Sequence, residues 1–258
     1  MAEAGSYSYE LHYFPIHGLG ATSRAILCLA GADWRDREQS FETWKDDKLS
    51  TPFGWLPILT IRGSSSNFGS DKEKSSDHAD KVLQTIPEAD VIERYLAKQF
   101  GFFGSTHEEE LQISIFLSQT ITIYNVWIFR VVNRGQAGHL DDVLKPFLEI
   151  SLKTWIKNCE RYLAENGQNG HFVGDKTSIA DIKTAVILDM FLAVQGSDVY
   201  LNSRDAPGLW KLKQLVDTHP GYATYRRSET FKRQDEMTKL KVVSKFEGFD
   251  MSRAHIFA

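Results

Sequence analysis

The stretch YELHYFPIHGLGATSRAILCLA, residues 9–30, decides the fold. Residues 9–14 are aromatic and apolar with a β preference, Pro15, Gly18 and Gly20 break the run, and residues 24–30 are helix-forming. The order predicts a strand, a loop and an apolar helix, the opening of an α/β domain. Where a strand end feeds a helix N-terminus, unpaired N–H groups and the positive end of the helix dipole favour an anion such as a carboxylate or a thiolate. Tyr13 stands at the mouth of that loop.

Downstream, residues 33–48 are mixed and charged and predict a short strand leading into an irregular or helical segment. Pro57 in LPILTI, residues 56–61, sits at a strand start, where its missing N–H is harmless and where a cis bond is cheap. Residues 63–80, GSSSNFGSDKEKSSDHAD, have too little apolar surface to offset ordering entropy, so an exposed insertion is expected between two adjacent strands. Residues 81–84 predict the next strand and residues 88–100 a helix, which makes the first half βαβ followed by ββα.

From residue 105 helical periods take over. Leu111, Ile115, Ser118, Thr122, Val126 and Phe129 recur at three and four residues, the stripe of one amphipathic helix, and residues 141–166 carry a second. Ser178 and Asp181 have capping-box spacing at the start of a third helix. Two shorter helices are expected over 209–218 and 221–228, and the tail 246–258 carries large apolar side chains. The division expected is residues 1–99 and 105–258.

The totals narrow the possibilities. The 258 residues suffice for a sizeable core, and a net charge of −4 gives no footprint for nucleic acid or an anionic membrane. Cys28 and Cys159 have no metal-ligand spacing around them, so both are expected to be reduced packing residues and no metal site is expected. No apolar run reaches the roughly 18 residues of a membrane helix, and MAEAGSYSYE lacks the basic and apolar regions of a signal peptide, so the cytosol is the expected location.

Several motifs together resemble the cytosolic glutathione S-transferases, closest to the sigma-like, tyrosine-type members, over residues 9–227. They are Leu11-His12-Tyr13-Phe14, Trp44 with Lys48, Pro52-Phe53-Gly54 before Leu56-Pro57, Val91 to Ala97, Phe172-Val173-Gly174-Asp175 and Ser178-Ile179-Ala180-Asp181. The resemblance implies a thioredoxin-like N-terminal domain that binds glutathione, an all-helical C-terminal domain that takes the second substrate, and a homodimer.

By the same resemblance Tyr13 is the catalytic residue, its hydroxyl donating to the glutathione sulfur; such a bond favours the thiolate over a thiol of pKa about 8.5. Trp44 and Lys48 match residues at the glycine end of glutathione, Leu56 the residue whose backbone pairs with the cysteinyl part, and Glu88 and Ala89 the anchor of the γ-glutamyl end. Trp55 stands where relatives often place a glutamine against glutathione. Phe53 stands where some relatives insert an aromatic into the partner subunit. Ala89 replaces a serine, Leu19 an arginine near the thiolate, and Ser114 an aspartate donated across the dimer; with the 63–80 insertion, these departures suit a specialised biosynthetic reaction. Three functions follow from the resemblance: conjugation of glutathione to an apolar electrophile held near residues 126–134 and the tail, glutathione-dependent cis–trans isomerisation of a conjugated olefin, or non-catalytic ligand binding.

Overall fold

The computed structural model describes residues 7–63, 81–136, 139–194 and 196–243, and the chain divides into two compact units, Met1–Leu96 and Ala97–Ala258. The 63–80 insertion, apart from Gly63, and the 246–258 tail lie outside the described residues.

In the first unit β1 (Ser8–Tyr13) leads through a 3-10 turn, Gly18–Gly20, into α1 (Ala21–Leu29), then β2 (Asp33–Glu38) and the short α2 (Trp44–Asp47). After the cis Leu56–Pro57 bond come β3 (Ile58–Gly63), β4 (Lys81–Pro87) and α3 (Ala89–Gln99). The sheet order is β2-β1-β3-β4, with β1 parallel to β2, antiparallel to β3, and β3 antiparallel to β4. Central β1 and β3 carry fully buried Leu11 and Leu59, whereas the edge strand β2 reads DWRDRE, whose charges discourage pairing with another chain. The helix α1 begins three residues earlier than its sequence pattern indicates, because the glycine turn winds directly into it, and β4 extends three residues past the expected 81–84.

All nine residues of α1 are buried, Arg24 among them. Its guanidinium Nε donates to both carboxylate oxygens of Asp36 on β2 at 2.9 and 3.1 Å, Nη1 to the carbonyl of Ile16 at 2.7 Å, and Nη2 to that of Phe14 at 3.1 Å. A buried charge is tolerated only when its donors find acceptors, and here three residues on two other segments supply them.

The second unit is helical. A long helix comprises α4 (His107–Val126), a π-turn at Trp127–Val132 and α5 (Asn133–Gln136). Then follow α6 (Leu140–Pro146), a second π-turn at Phe147–Leu152, α7 (Lys153–Glu165), α8 (Ile179–Leu192), α9 (Pro207–Asp217), α10 (Pro220–Arg226) and α11 (Glu229–Thr238). Every residue of α8 is buried, as befits a central helix. Its start is the expected capping box: the Ser178 hydroxyl and the Asp181 carboxylate exchange bonds with each other's backbone amides, and Asp181 also accepts from the Phe172 amide at 2.9 Å.

In the helical unit two features differ from the sequence reading. The stripe Leu111, Ile115, Phe129 faces outward, at 54%, 46% and 65% exposure, while Ile113, Phe116, Leu117, Thr120, Ile123 and Tyr124 form the buried face. The helix is apolar on both sides, so periodicity alone could not choose the inner one; packing against α8 chooses it, with Thr120 and Thr184 hydroxyls 2.9 Å apart at the crossing. The same two-sided character makes His107–Val132 long and apolar enough, by length and composition, to cross a membrane, with a mean hydropathy of 1.3, contrary to the sequence expectation. The second difference is α11, absent from the sequence reading because its buried face is partly polar: Phe231, Gln234 and Thr238 point inward, and Gln234 accepts from the Tyr225 hydroxyl at 2.6 Å.

Arg24→Met should lower the stability of the protein by about 3–5 kcal/mol, because the nearly buried Asp36 carboxylate would lose both hydrogen bonds from the guanidinium and the carbonyls of Phe14 and Ile16 would lose theirs. Urea denaturation checks this, and Asp36→Leu in the same chain should recover part of the loss. A change under about 1 kcal/mol for the single variant would mean that the pair is not what fastens α1 to β2.

Candidate functional site

Strand register places one end of the sheet at the centre of the site. Tyr13 pairs with Glu38, His12 with Ile58, and Ile58 with Pro87, so the carboxyl ends of β1, β2 and β4 and the start of β3 lie together. Ligands of α/β sheets bind outside such carboxyl ends. Each sequence-predicted residue sits on a segment leaving or entering this edge. Tyr13 ends β1, Trp44 and Lys48 follow β2, Trp55 and Leu56 precede β3, and Glu88 and Ala89 follow β4.

Tyr13 is the most constrained of them. Its side chain is buried and its hydroxyl accepts a hydrogen bond from the Leu19 backbone N–H at 3.0 Å. That bond uses an oxygen lone pair, so the hydroxyl proton stays available for an acceptor. Burial pushes the Tyr13 pKa up, opposed by the Leu19 amide and by Arg24, whose guanidinium carbon lies 5.7 Å from the ring centre. The group is therefore a neutral O–H donor at physiological pH. The glycines of the loop make room for it: a Cβ on Gly18 would lie 2.6 Å from the Tyr13 hydroxyl, and one on Gly20 2.6 Å from the ring. Gly18 also has φ +38, a region that side chains disfavour.

The remaining residues differ in how firmly they are held. Trp44 is half-buried, its ring edge-on to Phe14 at 5.4 Å, and Phe14 in turn meets the Tyr13 ring at 5.7 Å and stacks on Phe41 at 4.6 Å. Lys48 is exposed in the 3-10 turn Lys48–Ser50. Trp55 is 71% exposed, whereas Leu56 is buried, just outside the β1–β3 ladder. Glu88 is exposed at φ +74, unusual for a residue with a side chain, and its carbonyl receives the Ile92 amide at 2.9 Å to begin α3. Ala89 is then the first residue of that helix, whose leading amides have no partner within it and suit an anion. Backbone held in a sparsely populated conformation beside a binding edge is a recurrent property of ligand sites. Ser114, on α4, donates its hydroxyl to the Glu110 carbonyl at 2.7 Å and is thus engaged within its own helix.

Sequence reasoning overlooked Arg24, the Leu19 amide, and the buried pair His12 and Gln39. A lone charge in an otherwise apolar nine-residue helix was the available signal for Arg24. Nothing in the sequence announces a backbone amide. Cys28 and Cys159 are buried free thiols as expected, with burial pushing the Cys28 pKa up to about 12. In the helical unit a cavity of about 320 Å³ is lined by Leu144, Lys145, Leu148, Glu149, Val199 and Tyr200, none of which belongs to the expected site.

Comparison with known proteins identifies the family. The family model described as the C-terminal domain of glutathione S-transferase matches residues 136–229. Probable glutathione S-transferase 7 of Caenorhabditis elegans is 34% identical over 179 residues, covering 69% of this chain and 77% of the relative. S-crystallin SL11 of Nototodarus sloanii is 26% identical over 219 residues, covering 84% and 95%. A solved glutathione S-transferase of C. elegans shares the fold at a TM-score of 0.69 with 22% identity, covering 86% of this chain and 97% of the other. With a four-stranded β2-β1-β3-β4 sheet followed by a helical unit, and with these relatives, the chain belongs to the cytosolic glutathione S-transferase superfamily.

Proposed function

We propose that the protein binds reduced glutathione at the carboxyl end of its sheet and that Tyr13 activates the thiol for attack on an apolar electrophile. The observation that carries this reading is the Tyr13 hydroxyl, which accepts from the Leu19 amide and keeps its own proton to give. A donor fixed before the reaction stabilises a thiolate without reorganisation, which is where such sites gain most. Trp44 and Lys48 take the glycine end of the tripeptide, Lys48 as a point charge for its carboxylate. The backbone at Leu56 lies beyond the ladder and so can pair with the extended cysteinyl portion, with Trp55 flanking it. Glu88 and the first amides of α3, Ala89 onward, take the γ-glutamyl end.

Binding is tested by calorimetry and thermal shift: glutathione at about 100 times its Kd should stabilise the protein by about 2.7 kcal/mol. No heat and no shift at millimolar glutathione would remove the site. Tyr13→Phe should leave the Kd within about threefold, because both carboxylates are held elsewhere, while turnover falls about 100- to 1000-fold, or 2.7–4 kcal/mol. Since the lost hydrogen bond favours the thiolate, bound thiol absorbance should titrate at higher pH in the variant. A turnover change under threefold would transfer activation to the helix start and strip Tyr13 of the role.

A two-fold dimer in the cytosol completes the reading, supported by exposed Phe53 in the loop before Leu56 and by the outward apolar stripe Leu111, Ile115, Phe129. Light scattering should return twice the 29.4 kDa chain mass, with the dimer weakened by Phe53→Ala. A particle of single-chain mass at micromolar concentration would refute it.

A further inference from the structure

His12 and Gln39 are both buried, on β1 and just past β2, beside Tyr13. His12 Nε2 and Gln39 Oε1 are 3.0 Å apart. The Gln39 amide nitrogen meets the Ser40 carbonyl at 3.1 Å, Thr43 Oγ1 at 3.0 Å and Asp47 Oδ2 at 2.6 Å. These three partners are acceptors, so the glutamine turns its nitrogen to them and its oxygen to His12, and His12 must carry its proton on Nε2. Thr43 Oγ1 donates to the same Asp47 oxygen at 2.5 Å, and the Gln39 backbone N–H donates to the Tyr13 carbonyl at 2.9 Å. The result is a continuous path of hydrogen bonds from the strand that ends in Tyr13 to the last residue of α2.

The short helix needs such a path. No residue of α2 is buried, so apolar packing gives it little beyond the Trp44–Phe14 contact. Yet Trp44 opens α2 and Lys48 directly follows it, so any play in this segment moves both. Asp47 is the fastening point, its carboxyl held below the usual range first by Thr43 and then by Gln39.

We infer that His12 and Gln39 are positioning residues whose hydrogen bonds to α2, through Asp47 and Thr43, hold Trp44 and Lys48 in register with Tyr13 and thereby set the affinity for the glycine carboxylate of glutathione. This rests on the glutathione-binding reading above. The role differs from that of Tyr13: it governs where the carboxylate is held and leaves the thiol chemistry alone.

The test uses the full chain with His12→Leu, Gln39→Leu and the restoring His12→Gln, whose side-chain amide can donate from near the place of Nε2. In the absence of glutathione, amide hydrogen exchange over residues 43–50 should quicken roughly tenfold in the two leucine variants, about the loss of one hydrogen bond, and return towards the original rate in His12→Gln. The KM for glutathione should rise roughly tenfold in step, with kcat and the thiol titration within twofold. Should a buried leucine prevent folding, exposed Asp47→Ala, which removes the oxygen that accepts from Gln39 and Thr43, should quicken the same exchange and raise the same KM. Unchanged exchange overturns the inference, and so does quicker exchange with an unchanged KM, or a fall in kcat that His12→Gln does not restore. If the unaltered protein fails to bind glutathione, the proposed site falls, and the exchange measurement still decides whether these residues fasten α2.

Discussion

The guanidinium of Arg24 is the interaction on which the first unit depends. It is fully buried, and its hydrogen bonds reach Asp36 on β2 and the carbonyls of Phe14 and Ile16 in the loop after β1. Removing a charge from water costs several kcal/mol, recovered only where geometry is good and every donor is used. The planar fork of an arginine spreads its donors over Nε, Nη1 and Nη2, so acceptors on separate segments can be reached from one rigid group, which the point charge of a lysine does less well. One side chain thus joins the helix, a neighbouring strand and the loop that the site is built on. With the loop held, the Leu19 amide is aimed at the Tyr13 hydroxyl and the glycines close against the ring.

The helical unit solves a similar problem with a cluster of charges. Lys213 on α9 bonds Asp189 of α8 at 2.5 Å and Asp217 at 2.6 Å, while Arg226 of α10 bonds Asp189 at 2.8 Å. Two acids and two bases cancel, so burial leaves no uncompensated charge. Elsewhere the Glu160 carboxylate receives the Gly208 and Leu209 amides at 2.9 and 2.8 Å, capping α9 from a neighbouring helix. Apolar packing completes the unit, with Trp127, Phe147 and Phe191 in mutual contact at 5.2–6.0 Å.

In the proposed site, backbone groups offer hydrogen bonds at two positions whose side chains have none to give. Leu19 has no charge to offer, but its amide reaches the tyrosine oxygen. Ala89 has no hydroxyl, but it opens a helix whose first amides serve an anion. A backbone donor survives every substitution except proline so long as the loop keeps its path, which returns the burden to Arg24, Gly18 and Gly20.

The sequence by itself determined the kind of fold. The β-rich run before a glycine loop and an apolar helix, the proline before β3, and the Ser178–Asp181 box are local signals, set by propensity and by contacts within a few residues. The common edge of the segments that carry Tyr13, Trp44, Leu56 and Glu88 came from the strand order and register of the folded sheet, which the sequence reading did not include. Tertiary structure alone decided which face of α4 is inside, because an apolar face and its opposite look alike until α8 packs on one of them. It alone brought α11 into the core, since Gln234 and Thr238 count as surface residues until Tyr225 gives the glutamine a partner. It alone joined Arg24 to Asp36 and His12 to Gln39, pairs separated by 12 and 27 positions. A hydrogen bond between distant residues leaves no periodic trace in the chain; it exists only once the strands that carry its partners have been laid side by side.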